Sequence, residues 1–112
     1  MSYGIRLVPD TLRSLAFGVI GVNYAPIGTV FLHPMRIISI KNLTNANLLF
    51  SFDGVNDNEV VPAEAGVVYD LCTNRVGTLG AMISIGTRVY VKQSGVPTAG
   101  SVYVTTWYGY GE

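Results

Sequence analysis

The sequence predicts an all-β fold, an antiparallel β-sandwich or flattened barrel of about seven to eight strands with an N-terminal arm. Short runs of β-branched and aromatic residues alternate with Gly, Pro, Asn and Asp at the spacing typical of sandwiches, and helical periodicity is nearly absent. A chain of 112 residues suits one core. Because so many strands cannot stay in one flat sheet, we expect two packed sheets or closure, with antiparallel pairing across the short links.

The first thirteen residues are predicted to form the N-terminal arm, and residues 14–112 the single β-sandwich domain. Gly4 and Pro9 interrupt the arm, so that only residues 5–8 could pair as a strand. Because the arm has little core of its own, we expect it to reach a neighbouring subunit and add main-chain hydrogen bonds there.

Four strands are predicted in the first half of the domain, over residues 15–23, 29–33, 35–43 and 48–53. Glycines kink the first of these, and Pro34 stops the second. The third reads MRIISIKNL, a largely apolar strand that has one exposed face at best. A four-residue link rich in Asn and Thr joins the third to the fourth, which predicts a β-hairpin between them.

The second half of the domain contains shorter predicted strands, over residues 59–61, 67–72, 81–85, 87–93 and 101–108. Gly86 either separates the third and fourth of these or lies inside one long strand. The last strand alternates strictly, so that Val102, Val104 and Thr106 are predicted on one face. Its opposite face consists of Tyr103, Thr105 and Trp107.

The composition favours an assembly protein. Charged residues make up 12% of the chain, against about 25% in an average soluble domain, and obligate interfaces are depleted in charge. We therefore expect a homo-oligomer; the alternative is a free surface made of uncharged polar residues. The formal net charge of zero offers no footprint for a phosphate backbone, so nucleic acid is not an expected partner. No run reaches the 18 apolar residues that predict a membrane span, so a membrane is not an expected partner either.

Residues that could support catalysis are few. His33 is the single histidine, no serine lies in a G-x-S-x-G elbow, and His33 is expected at a turn or subunit contact. Asp70 lies in the run VVYDLC and is predicted in or beside the core, with Arg75, Arg88 or a backbone amide as its partner. Cys72, the single cysteine, is predicted to be a buried structural thiol. No phosphate-binding glycine motif is present, so we expect neither an enzyme nor a cofactor.

A polar loop offers the best candidate ion site. Asp53, Asn56, Asp57 and Glu59 cluster oxygen atoms of the kind that calcium prefers. The spacing does not match an EF-hand, and Asn and Asp also favour turns because their side chains accept bonds from nearby backbone amides. A plain loop without metal is therefore the favoured interpretation.

The C-terminal aromatic residues allow two interpretations. Trp107, Tyr108 and Tyr110 could stack on sugar rings, which would make the chain a carbohydrate-binding or receptor-binding module. Aromatic side chains also close sandwich cores and anchor protein interfaces, and this use is favoured here.

Several segments together carry a family resemblance: MRIISIKNLTNANLLFSFDG, VVPA, VVYDLCTN, RVYVKQ and GSVYVTTWYG. Their order, from about residue 35 to residue 109, resembles small β-sandwich proteins from the structural modules of tailed bacteriophages. Residues 1–34 lie outside the resemblance.

The resemblance implies a non-enzymatic virion protein of the head-to-tail region, the capsid surface or the tail, assembled in the host cytoplasm. Its partners would be copies of itself and other virion proteins such as capsid, portal or tail subunits. The residues expected at interfaces lie in the arm and in the last strand: Tyr3, Ile5, Leu7, Tyr103, Trp107 and Tyr108.

Overall fold

The computed structural model describes residues 6–72 and 82–112, and in them it shows the predicted all-β fold as two antiparallel sheets packed together. The described residues form nine strands: β1 (Leu7–Pro9), β2 (Arg13–Ala16), β3 (Ala25–Ile27), β4 (Met35–Asn42), β5 (Leu48–Ser51), β6 (Glu59–Val61), β7 (Ala65–Asp70), β8 (Val89–Gln93) and β9 (Ser101–Gly109). A single 3-10 turn, Phe17–Val19, follows β2. No helix among these residues is long and apolar enough to cross a membrane.

The strands divide into a five-stranded sheet and a four-stranded sheet, here called sheet A and sheet B. Sheet A has the order β1-β9-β4-β7, and β2 also pairs with β9. Sheet B has the order β3-β8-β5-β6. The long strands β4 and β9 lie side by side at the centre of sheet A, where Ile38 is opposite Thr106 and Ile40 is opposite Val104.

The core lies between the two sheets and confirms the alternation predicted for the last strand. Val102, Val104 and Thr106 of β9 are fully buried, while Tyr103, Thr105 and Trp107 are partly exposed on the other side. The neighbouring strand contributes Ile38 and Ile40, and sheet B contributes apolar side chains that are also fully buried, including Leu48, Phe50, Val61, Val89 and Val91. Burying each such side chain favours folding by about 1.5 to 3 kcal/mol, so this alternation fixes which face of each strand points inward.

The predicted hairpin between residues 35–43 and 48–53 is wrong, because β4 belongs to sheet A and β5 to sheet B. The link between them crosses from one sheet to the other. Asn42, fully buried at the end of β4, donates from Nδ2 to the Ala46 carbonyl in the link at 2.8 Å. It also donates to the Val61 carbonyl of β6 at 3.0 Å. This side chain therefore ties the two sheets together where a hairpin turn was expected.

Two strands predicted in the first third of the chain differ in the structure. The strand over 15–23 ends at Ala16, where the 3-10 turn begins. The strand predicted over 29–33 does not form, because the Arg13 side chain engages the carbonyls of Thr29 (Nε, 2.9 Å) and Val30. The N–H of Phe31 nevertheless donates to the Thr87 carbonyl, and its carbonyl accepts from the N–H of Gly86. The Phe31 side chain is fully buried in the core.

The part of the predicted arm that the structure describes pairs within the same chain. Leu7 lies opposite Gly109 and Pro9 opposite Trp107, so β1 extends sheet A at the end of β9. Arg13, the last residue of the predicted arm, is the first residue of β2 and is buried. Its guanidinium forms an ion pair with Asp10 at 3.0 Å and lies over the Phe31 ring. Main-chain bonds of residues 7–9 thus belong to this chain's own sheet.

Two further predictions fail at the end of β7. Asp70 is exposed and does not lie in the core. Of its predicted partners a backbone amide is confirmed, because its carboxylate accepts a hydrogen bond from the Cys72 amide at 2.9 Å. Arg88 donates instead to the Gly28 carbonyl, and Arg75 lies outside the described residues. Cys72 is also exposed, so it is not a buried structural thiol. The physical reason is that β7 lies at the edge of sheet A, where alternate residues face solvent.

Candidate functional site

The side of sheet A that faces away from the core is the most extensive candidate surface, and we call it the outer face. Residues that alternate with core residues along β1, β4, β7 and β9 form it: Leu7, Pro9, Ile37, Ser39, Lys41, Gly66, Val68, Asp70, Tyr103, Thr105 and Trp107. They stand in rows across the strands. Thr105, Ser39 and Val68 form one row, and neighbouring rows place Trp107 beside Ile37 and Tyr103 beside Lys41.

A shallow depression of about 480 Å³ lies in the middle of the outer face. Its walls are the half-buried Trp107 and Ile37 and the exposed Leu7 and Val68, and Ser39 is nearly buried at its floor. An exposed fraction of 62% for Val68 and 41% for Leu7 is high for apolar side chains in a strand. The depression therefore offers a mainly apolar contact area with one indole at its side.

Charge is sparse on the outer face. Among the described outward positions of these four strands, Lys41 and Asp70 carry the charged side chains. Lys41 of β4 lies beside the start of β7, and Asp70 is the last residue of β7. A tryptophan among uncharged residues, with a tyrosine nearby, is typical of the buried centre of a protein interface.

The structure brings together three of the residues predicted at interfaces and separates a fourth. Leu7, Tyr103 and Trp107 share the outer face. Tyr108 points to the other side of β9, where its ring stacks on His33 with centroids 3.8 Å apart. Tyr3 and Ile5 lie outside the described residues.

The aromatic residues predicted to stack on sugars do not form one platform. Trp107 and Tyr108 are adjacent in β9 and therefore face opposite sides of sheet A. Tyr110 follows the strand and is 72% exposed. Any sugar contact at the outer face would rely on Trp107 with Tyr103 as its nearest aromatic neighbour on the same strand face.

The polar loop after β5 is organised by its own backbone. One oxygen of Asp53 accepts hydrogen bonds from the Ser51 hydroxyl and from the backbone amides of Val55 and Asn56, each within 2.8 Å. Its other oxygen accepts from the Asn56 side-chain amide at 2.7 Å. These donors hold the pKa of Asp53 well below its usual range. The carboxylate therefore serves as the centre of a turn.

The other members of the candidate ion site have separate partners. Asp57 accepts a hydrogen bond from the Tyr24 hydroxyl and forms an ion pair with Lys92 at 3.1 Å, and both contacts lower its pKa, the Tyr24 bond more strongly. Burial raises the pKa of the Tyr69 phenol to about 12, and the neighbouring Glu59 carboxylate adds to this effect. Within residues 6–72 and 82–112, no group of three or more His, Cys, Asp or Glu side chains could hold a metal.

A second concavity, of about 540 Å³, opens between the sheets beside this loop. Phe52 and Tyr69 meet edge to face with ring centroids 5.7 Å apart, and Ile83 and Thr87 complete its apolar and polar sides. Asp53 lines it as well, but the oxygens of that carboxylate already accept the bonds of the turn. Among the described residues that line this concavity, no other carboxylate is present.

The nucleophilic and basic side chains also have structural surroundings. His33 stacks on Tyr108, and its Nδ1 lies 3.2 Å from the Glu112 carbonyl oxygen. Partial desolvation and the Asp70 carboxylate raise the pKa of the Cys72 thiol, which disfavours the reactive thiolate. The Glu112 carboxylate pairs with the guanidinium of Arg36, where Nε and Oε1 are 2.9 Å apart, and this contact raises the pKa of Arg36.

Comparisons with known proteins leave the outer face as the main guide to function. No family model, no curated protein and no solved structure matches this chain. The fold and the chemistry of its surfaces therefore carry the functional argument.

Sequence reasoning missed the outward residues of β4 and β7. Ile37, Ser39 and Lys41 lie in a run predicted to have one exposed face at best, and their alternation with Ile38 and Ile40 places them on that face. Gly66 lies before the predicted start of its strand, and its role depends on the lysine beside it. Gly66 is exposed, and a Cβ atom there would lie 3.5 Å from Cγ of Lys41, so the lysine side chain starts directly beside the glycine.

Proposed function

We propose that this chain is a non-enzymatic assembly protein, a structural component of a tailed-bacteriophage particle, that packs the outer face of sheet A against neighbouring protein subunits. The observation that carries the proposal is the outer face itself. Trp107, Ile37, Leu7 and Val68 form an apolar area on a rigid sheet, in a chain with 12% charged residues. Such surfaces gain free energy when another protein excludes water from them.

The state of the titratable groups supports a non-enzymatic role. Asp10, Asp53, Asp57 and Asp70 each accept a hydrogen bond or ion pair from the chain's own residues. These carboxylates hold turns and strands in place. A general acid or base instead requires a group that converges with others on one cleft.

The assignment to a phage particle rests on the resemblance of residues 35–109 to β-sandwich proteins of tailed-phage structural modules. The expected partners are further copies of the chain and capsid, portal or tail subunits. Its place of action would be the virion, after assembly in the host cytoplasm.

Photo-crosslinking in assembled particles tests the proposal. A photoreactive phenylalanine analogue at position 107 should form crosslinks to a capsid, portal or tail protein or to a second copy. The matched control places the same analogue at Val60, which is 56% exposed on β6 of sheet B. Purified particles that lack the chain, or equal crosslinking from both positions, would contradict the proposal.

A carbohydrate-binding role is the second candidate, and the position of the partly exposed Trp107 indole on the outer face favours it. The indole lies beside a depression whose floor carries the Ser39 hydroxyl and whose rim carries the Lys41 ammonium, so a stacked sugar would find polar partners. A glycan array should then give hits that disappear in Trp107→Ala and persist in Tyr110→Ala, because Tyr110 lies beyond β9. An array without hits would remove this candidate.

A further inference from the structure

The free edge of β7 differs from the other sheet edges in the described part of the chain. The edge formed by β1 and β2 is interrupted at residues 10–12 and contains Pro9, while β3 has three residues that include Pro26. The third edge, β6, has three residues followed by Pro62. Short strands and prolines protect edges against pairing with other chains. By contrast, β7 has six residues, and none of them is a proline or lysine.

The main-chain groups that β7 presents to the outside follow from its register. Leu71, one residue beyond the strand, donates its N–H to the Arg36 carbonyl at 2.8 Å. Because antiparallel ladders bond every second residue, Tyr69 and Val67 also bond to β4, while the N–H of Ala65 donates to the Pro62 carbonyl at 3.2 Å. The N–H and C=O groups of the alternate residues therefore point away from sheet A, and those residues are Gly66, Val68 and Asp70.

We propose that the β7 edge pairs with the β7 edge of a second copy of this chain, antiparallel and about a two-fold axis through Val68. This register places Val68 opposite its own copy and Gly66 opposite the second copy's Asp70. Each of the three outward residues can then exchange both main-chain bonds with its partner. The inference deepens the proposed function and rests on it, since it names a second copy as one of the neighbouring subunits.

Charge complementarity selects a second copy as the occupant. Lys41 of β4 lies opposite the exposed Gly66 of β7, and its Cγ is 3.5 Å from the place that a Cβ atom of residue 66 would take. In the proposed register the row continues from Lys41 through Gly66 to the second copy's Asp70. Two strand spacings separate the Cα atoms of the two charged residues by about 10 Å, a distance that an extended lysine and an aspartate span together. Two-fold symmetry produces this ion pair twice.

Within one chain the same two residues are too far apart to pair. Asp70 lies opposite Ile37 and Lys41 lies opposite Gly66, so four residues of β7 separate them, or about 13 Å. Because Gly66 has no side chain, nothing at that position stands between Lys41 and the second copy's Asp70. Pairing would also join the two outer faces into one continuous surface, with both Trp107 side chains on the same side.

The test measures the mass of the full chain by sedimentation equilibrium from about 1 to 500 µM. A contact of this size is small, and we expect a dissociation constant of about 1 to 100 µM for the wild type. Val68→Pro removes an outward N–H without breaking the ladder to β4 and should abolish the dimer. Val68→Thr keeps that N–H and the branched shape, and it should dimerise with a constant within about threefold of the wild type.

A charge exchange provides a test that does not depend on proline. Lys41→Asp and Asp70→Lys, each alone, should weaken the dimer at least about tenfold because like charges then face each other twice. The double variant should return to within about threefold of the wild type. Circular dichroism of each variant checks that the fold is kept.

Three results would overturn the inference: a wild type that stays monomeric at 500 µM, a dimer that Val68→Pro leaves intact, or a double variant without recovery. None of them touches the proposed function, which depends on the chain's presence and crosslinking in particles. Conversely, the chain could form the expected dimer in solution and yet be missing from purified particles. That outcome would refute the proposed function and leave the dimer inference standing.

Discussion

Replacing Asn42 by alanine tests whether one buried amide holds the two sheets together. Nδ2 of Asn42 donates to carbonyls of Ala46 and Val61, with a longer contact to Pro62. Its Oδ1 accepts from the backbone amide of Thr44 at 3.0 Å and from the Thr44 hydroxyl at 2.6 Å. Alanine removes all of these bonds at a position with no exposed surface, so water cannot readily replace them.

The magnitude follows from the bonds that are lost. The side chain makes two donated and two accepted hydrogen bonds of good length, and each is worth about 1 kcal/mol net. We therefore expect the free energy of unfolding to fall by about 3 to 4 kcal/mol. For a chain of this size each kcal/mol corresponds to about 4 °C, so the melting temperature should fall by about 12 to 16 °C.

Guanidinium unfolding followed by tryptophan fluorescence measures this loss, and Asn45→Ala is the matched control. Asn45 lies in the link between β4 and β5 and makes two hydrogen bonds to Thr98, but it is exposed. Its replacement should therefore lower the free energy of unfolding by less than about 1 kcal/mol. Equal costs for the two alanine variants would refute the reasoning that Asn42 joins sheet A to sheet B.

Three further predictions concern other parts of the fold. Gly100→Ala should lower the free energy of unfolding by at least about 3 kcal/mol, because Gly100 has φ of +93° and a Cβ atom there would lie 2.1 Å from the Leu43 carbonyl oxygen. Thermal unfolding should show a much smaller loss for the control Gly95→Ala, whose Cβ atom would make an ordinary contact. The pKa of Tyr69 is raised to about 12, so this residue's contribution to stability is complete below pH 10 and disappears as the pH rises toward 12. The free energy of unfolding should therefore fall less steeply across this pH range in Tyr69→Phe than in the wild type. Identical slopes would contradict the assignment. The pKa of Asp53 is lowered, so its contribution to stability is present above pH 3.8 and is lost as the pH falls below that value. The midpoint of acid unfolding, monitored by circular dichroism, should therefore shift to higher pH in Asp53→Ala. An unchanged midpoint would speak against this role.

The sequence predicted the fold class and the last strand well because both depend on local alternation. Val102, Val104 and Thr106 are spaced by two residues, and this period alone decides which face is buried. The failures arose where a distant side chain outweighed local preference. The carbonyls of residues 29 and 30 bond to Arg13 instead of a neighbouring strand. Asn42 reaches another sheet, which no turn pattern indicates.

The candidate site was predictable only in part for a similar reason. Leu7, Tyr103 and Trp107 were expected at an interface from their residue type, and their common face was visible for the two residues of β9. The contribution of β4 and the edge position of β7 depend on strand order, which the spacing of apolar runs does not encode. The exposure of Asp70 and Cys72 follows from that same strand order.

The pairing of both N-terminal strands with β9 has a consequence for synthesis on the ribosome. Residues 7–16 hydrogen-bond to residues 101–109, so about 90 residues must be translated before the first strands find their partner. At about 5 to 20 residues per second, this interval lasts roughly 5 to 20 s. During that time β4 also lacks one neighbour, and the nascent chain exposes apolar strands that chaperones can recognise. Sheet A can therefore be completed only late in translation, once β9 has been made.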